Sequence, residues 1–198
     1  MRSYTFNKRQ KGFSLIELII VVVILGILGI VAARVTSGSP DPANATAIRS
    51  AAQEMAKGVG YLHANLGTGL SATSNPLQGS GMTMLDVLMV GRDAVATAYQ
   101  DAFDRTNMRP LEGSFRVLRR PSGSTAGQYA VLSYPITFIA SCPSGRVCIR
   151  FDNVPTATLQ ELTSRNGVTF SEGGLTAGPF KYTAAANGFH QVTIESVP

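Results

Sequence analysis

Histidine and cysteine are scarce in this chain of 198 residues, with two of each, and tryptophan is absent. His63 and His190 lie far apart in sequence, and neither falls near Cys142 or Cys148. Structural zinc sites close with four such ligands, so no metal centre is expected. Also missing are G-x-S-x-G, the P-loop, H-E-x-x-H and the Cys-x-x-Cys of redox proteins, and the acids are scattered. Gly79-Ser80-Gly81 has no Lys-Ser/Thr behind it and reads as a flexible connector. These absences exclude the common enzyme classes: neither catalysis nor a cofactor is expected.

Cationic charge is also sparser than it looks. The formal net charge is +5, but Arg2, Lys8, Arg9 and Lys11 all fall in the first twelve residues. Without them, 13 basic residues face 12 acidic ones. The remaining concentration is Arg116, Arg119 and Arg120, which could meet a phosphate or an acidic neighbour, although a solvated strand end explains it as well. No aromatic platform accompanies it, so nucleic acid is a weakly supported partner. The N-terminal basic residues instead fit the positive-inside rule, which keeps that end in the cytoplasm and sends the rest across a membrane.

What the chain does have is an unbroken apolar run over residues 18–33, sixteen residues long. Counted from Phe13 the segment is twenty-one residues with only Ser14 and Glu17 polar. About 20 apolar residues at about 1.5 Å each span a bilayer's hydrocarbon. A cleaved secretory signal has a shorter core and a small-residue cleavage site behind it. A plain anchor would fit the length, but it leaves Glu17 unexplained, since a charge inside the span costs a few kcal/mol unless paired.

Lys11, Gly12, Phe13, Ser14, Leu15, Ile16 and Glu17, followed by that run, resemble the processing motif of type IV pilins and the related pseudopilins. The resemblance covers about the first thirty residues. It implies that a prepilin peptidase cuts between Gly12 and Phe13 and methylates the new amino group of Phe13. It also implies that Glu17 pairs with the Phe13 amine of a neighbouring subunit, each charge being costly alone in a dry helix bundle. The partners implied are further copies of the chain, the peptidase and the pilus assembly machinery of the inner membrane. The precursor would sit in that membrane and the product in an extracellular pilus. Arg34 stands where many type IVa pilins have a helix-bending proline. That and the chain length look like type IVb, while the short leader and Phe13 look like type IVa. A pseudopilin of a type II secretion system and a minor pilin binding DNA or a surface are the alternatives. Major pseudopilins generally bind calcium near the C-terminus, and residues 187–198 carry only Glu195 as an acid.

The expected organisation is a leader over 1–12, a long helix over 13–66 and a globular head over 67–198. The helix would span the membrane to about residue 33 and be amphipathic from about 43, interrupted near Pro40. Ile48, Ala51, Ala52, Met55, Val59 and Leu62 recur at helical spacing, with Arg49, Gln53, Glu54 and Lys57 off that stripe. Thr83 and Asp86 predict a capped helix stopped by Gly91, and residues 92–104 a further helix with Val95, Tyr99, Ala102 and Phe103 on one side. Strands are expected at 115–118, within 129–140 with Pro135 at an edge or bend, and at 147–151, 168–170, 180–183 and 191–194. A helix is expected over 156–165, closed by Asn166-Gly167. The fold class is therefore α+β, the long helix packed on a largely antiparallel sheet. If the head faces an oxidising compartment, Cys142 and Cys148 should bond across the Pro143-Ser144-Gly145 turn.

Overall fold

The structure is a computed structural model that describes residues 41–69, 76–111, 115–139, 142–143 and 145–198. All of these belong to one unit, Pro40–Pro198. Residues 13–33, Gly12 and Glu17 lie outside the described residues. Among those described, no helix is long and apolar enough to cross a membrane.

Helix α1, Asp41–Leu66, opens the described chain. Pro42 sits in its first turn, where a missing amide costs nothing. Ala45, Ile48, Ala52, Met55, Val59 and Leu62 are buried along one stripe, while Arg49, Gln53, Glu54 and Lys57 are exposed. The alanines in that stripe let the helix axis lie close to what it covers.

What it covers is one face of a six-stranded antiparallel sheet, β1 Arg116–Arg119, β2 Gln128–Val131, β3 Tyr134–Phe138, β4 Val147–Pro155, β5 Phe180–Tyr182 and β6 Phe189–Ser196. The order is β1-β2-β3-β4-β6-β5, so the last strand inserts between β4 and β5. Tyr129, Ile136, Val147, Ile149, Phe151, Phe180 and Val192 form one core with the α1 stripe. Helix α4, Thr156–Arg165, follows β4 and lies along α1: Thr158 Oγ1 donates to Asp41 Oδ1 at 2.7 Å and Arg165 Nη1 to Thr46 Oγ1 at 2.9 Å.

Helix α2, Met84–Val90, has the reciprocal capping box of Thr83 and Asp86 and ends at Gly91, whose φ of 84° suits a residue without a Cβ. Residues 92–104 do not form one helix. Two 3-10 turns, Arg92–Ala94 and Thr97–Tyr99, precede the short α3, Gln100–Asp104. Between the turns Val95 is extended, because Gly79 donates to the Ala94 carbonyl and Ala96 to that of Leu77. That cross-chain pairing outcompetes continuation of the helix.

Residues 129–140 hold two strands, folded at a tight turn where Leu132 has φ 55°. Pro135 sits in an internal strand. It pairs with Ala130 on one side, and the β4 register begins only at Ile136, so the missing amide breaks no rung there. Residues 168–170 are not a strand: Val168 donates back to Thr163, closing α4, and Phe170 turns inward to stack on Tyr182 at 6.0 Å.

Candidate functional site

Gly12, Phe13 and Glu17, the expected processing and assembly residues, fall outside the described residues. The head offers three further places to look.

The first is β1. A bulge between Val117 and Arg119 adds one residue to this strand, so Arg116 faces Ala130 and Arg119 faces Gln128. Those partners are two apart on β2, which turns the two arginines to the same side of the sheet. Both are exposed, as is Arg120, and Arg119 Nη2 donates to the Ala126 carbonyl at 3.2 Å. As an edge strand, β1 gains from this charge, which discourages pairing with a foreign strand. Elsewhere across the sheet the cations are matched. Arg150 Nε lies 3.1 Å from Asp152 Oδ1, Lys181 pairs with Glu195, and Arg146 Nη1 is 3.9 Å from Glu195 Oε2. The described residues therefore give no continuous basic track of the kind that follows a nucleic-acid backbone.

The second is the β3–β4 connection. Cys142 and Cys148 are bonded, with Cα atoms 5.5 Å apart, and both are buried. Ile139 donates to the Cys148 carbonyl at 2.9 Å, and Arg146 to that of Pro143 at 3.1 Å. Cys148 stands opposite Glu195 on β6, so the staple fixes the sheet end where the C-terminal strand finishes. Beyond that strand, Pro198 lies against Gly60 of α1.

The third is Asp86, fully buried and more than a cap. Its Oδ2 accepts from the Thr83 amide and hydroxyl, both at 2.8 Å. Its Oδ1 accepts from the Gly127 amide at 2.8 Å and the Tyr129 hydroxyl at 2.7 Å. A Cβ at Gly127 would lie 2.4 Å from the Tyr129 oxygen, so the backbone can approach only as glycine. Four donors satisfy this carboxylate, and it binds α2 to the sheet. Sequence showed the Thr83 half of this arrangement; partners some forty residues away leave no local signal.

The histidines sit on different elements. His63 is buried in the last turns of α1, its Nδ1 2.7 Å from Thr68 Oγ1, and burial lowers its pKa against a smaller opposing effect from the Thr68 backbone. His190, on β6, has Nδ1 2.8 Å from the Thr183 carbonyl and Nε2 3.0 Å from Thr156 Oγ1. Among the described residues no three metal-ligating side chains come together. Two concavities of about 480 and 430 Å³ open on the sheet. The first gathers Arg119 and Asp152 with Thr83 and Tyr129, the second Arg150 and Lys181 with threonines. In the second, Lys181 stands opposite Thr193 and is engaged by Glu195.

Residues 7–33 match the family described as the prokaryotic N-terminal methylation motif, the class III signal peptide of type IV pilins. No curated protein and no solved structure matches the chain. The motif indicates a precursor of the type IV pilin or pseudopilin kind, and points to a structural subunit rather than an enzyme. In pilins it is the site that prepilin peptidase cleaves.

Proposed function

We propose that this chain is a structural subunit of a type IV pilus, held in the inner membrane as a precursor and polymerised through its N-terminal helix into an extracellular filament. The observation that carries the reading is the methylation motif over residues 7–33 with Glu17 set inside its apolar segment. Cleavage after Gly12 exposes the Phe13 amine, and methylation keeps it cationic. Phe13 of an incoming subunit and Glu17 of one already docked then neutralise each other, and a subunit at the wrong height leaves both charges bare. Pairing thus sets register, while the apolar run supplies the packing. The head, with α1 laid on its sheet and the cysteine staple at one end, is the part displayed.

Electron microscopy of sheared filaments, joined to mass spectrometry of their subunit, tests this. Long filaments made mainly of a chain beginning at N-methyl-Phe13 are the expected result. A mature, methylated chain without such filaments would assign it to a secretion pseudopilus or a minor position instead. A chain that keeps residues 1–12 would overturn the processing.

A further inference from the structure

The two ends of the sheet differ in chemistry. At one end lie the cysteine staple, Arg146, Glu195 and the C-terminus. At the other the chain enters α1 at Asp41, tied to Thr158 at the start of α4, and Asn44 Nδ2 donates to the Tyr134 hydroxyl at 3.1 Å. The β2–β3 turn at residues 132–133 and the β5–β6 loop at 183–188 close at this same end, because Tyr134 opens β3 and Phe189 opposite Pro155 opens β6.

These two loops are uncharged, with Leu132 and Ser133 in one and Thr183, three alanines, Asn187 and Gly188 in the other, while the 171–176 loop that packs on Thr183 and Ala184 carries the exposed Glu172. Leu132 is 52% exposed and Phe189 47% exposed, two of the few large apolar side chains the head leaves in solvent. Leu132 also holds φ 55°, a conformation that glycine or asparagine adopts at less cost. A strained backbone that presents an exposed leucine breaks two local rules at one point, and such coincidences mark contacts. Apart from Glu172, the charged groups of the described residues nearest this end are committed or set back. Asp41 accepts from Thr158, Asp152 lies beside Arg150, Glu161 pairs with Arg165 within α4, and Arg116 stands opposite Ala130, two residues short of Leu132.

Only seven residues, 34–40, separate the apolar run from Asp41. Fully extended they reach at most about 25 Å, less than a bilayer's thickness. Resting on the membrane-stored precursor reading above, we propose that the end of the head carrying Leu132 and Phe189 seats on the outer lipid surface of the inner membrane before assembly. Leu132 and Phe189 would enter the headgroup boundary as interfacial apolar residues do, and Arg116, set back by two residues, would lie at phosphate depth. Because the loops lack a basic cluster, the contact is apolar and should not require anionic lipid.

The test uses the full chain in phosphatidylcholine vesicles carrying a nitroxide quencher high in the acyl chain, with one fluorophore per protein on Ser133→Cys, Val197→Cys or Val22→Cys. The bonded native cysteines leave only the added thiol to label. Quenching at position 133 should exceed that at 197, on the opposite end, by about threefold or more. Leu132→Asp with Phe189→Asp should bring position 133 down to the level of 197. Leu132→Gly, which removes the side chain and relieves the backbone, should lower quenching while raising thermal stability, so a folding defect cannot mimic the effect. Equal quenching at 133 and 197 with strong quenching at 22 overturns the lipid contact and leaves the anchored subunit standing. Absence of quenching at 22 overturns both. Quenching at 133 that vanishes as protein is diluted into lipid assigns the face to a second copy and overturns the lipid contact.

Discussion

The Tyr129 hydroxyl donates to Asp86 Oδ1 at 2.7 Å, joining the cap of α2 to the second strand of the sheet across forty-three residues of chain. Both side chains are buried, so neither has water to fall back on. Asp86→Ala strands the Tyr129 hydroxyl and the Gly127 amide together, and should cost about 3 kcal/mol. Tyr129→Phe removes one of four donors and should cost about 1 kcal/mol. Urea unfolding of the two variants checks the order; because Tyr129→Phe keeps the ring, equal losses would mean that the Tyr129 hydrogen bond alone carries what Asp86 contributes.

The Cys142–Cys148 bond closes a loop of seven residues, which the chain-entropy relation values at about 2 kcal/mol. Replacing both cysteines with serine, or adding reductant, should lower the unfolding free energy of the head by about 2 kcal/mol, read as a lower urea midpoint. Recovery of the chain in the membrane fraction should not change, since the apolar run lies over a hundred residues earlier. Loss of membrane recovery on reduction would contradict this separation of roles.

His63 gives the head a pH dependence of known sign. Burial lowers its folded-state pKa below the ordinary 6.5, so below that value the unfolded chain binds more protons than the folded one. Its stabilising share is present above the unfolded pKa and is lost as pH falls through the lowered folded one. Unfolding midpoints measured between about pH 5 and 7.5 should therefore rise with pH, and His63→Gln should flatten that slope. An unchanged slope in the variant would place the titration on another group.

Helix α4 and the capping box of α2 were legible because their signals are local: Asn166-Gly167 behind an apolar period, and Thr83 three residues before Asp86. The α1 stripe was legible for the same reason. The antiparallel sheet could be expected from its strand-rich second half, but not its order, since the pairing of Ile149 with Ile194 depends on residues that no periodicity connects. Extended Val95 and inward Phe170 were misread where tertiary partners, Gln78 and Tyr182, overrode local preference. Of the candidate site, the motif at residues 7–33 could be read from sequence alone because it is one contiguous stretch of set residue types and spacing. The Arg116 and Arg119 alignment depends on a bulge that sequence does not reveal.

The central claim is that Glu17 serves assembly and not insertion. Glu17→Val removes a charge from the apolar segment, so membrane recovery should hold or improve. Filament yield should nevertheless collapse, because the Phe13 ammonium then has no partner inside the bundle. Glu17→Asp keeps the charge with a shorter reach and should fall between. The deciding measurement is surface filament yield against membrane-fraction abundance for wild type and these two variants. The account predicts normal abundance with little or no filament for Glu17→Val, and normal filament yield from that variant would contradict it.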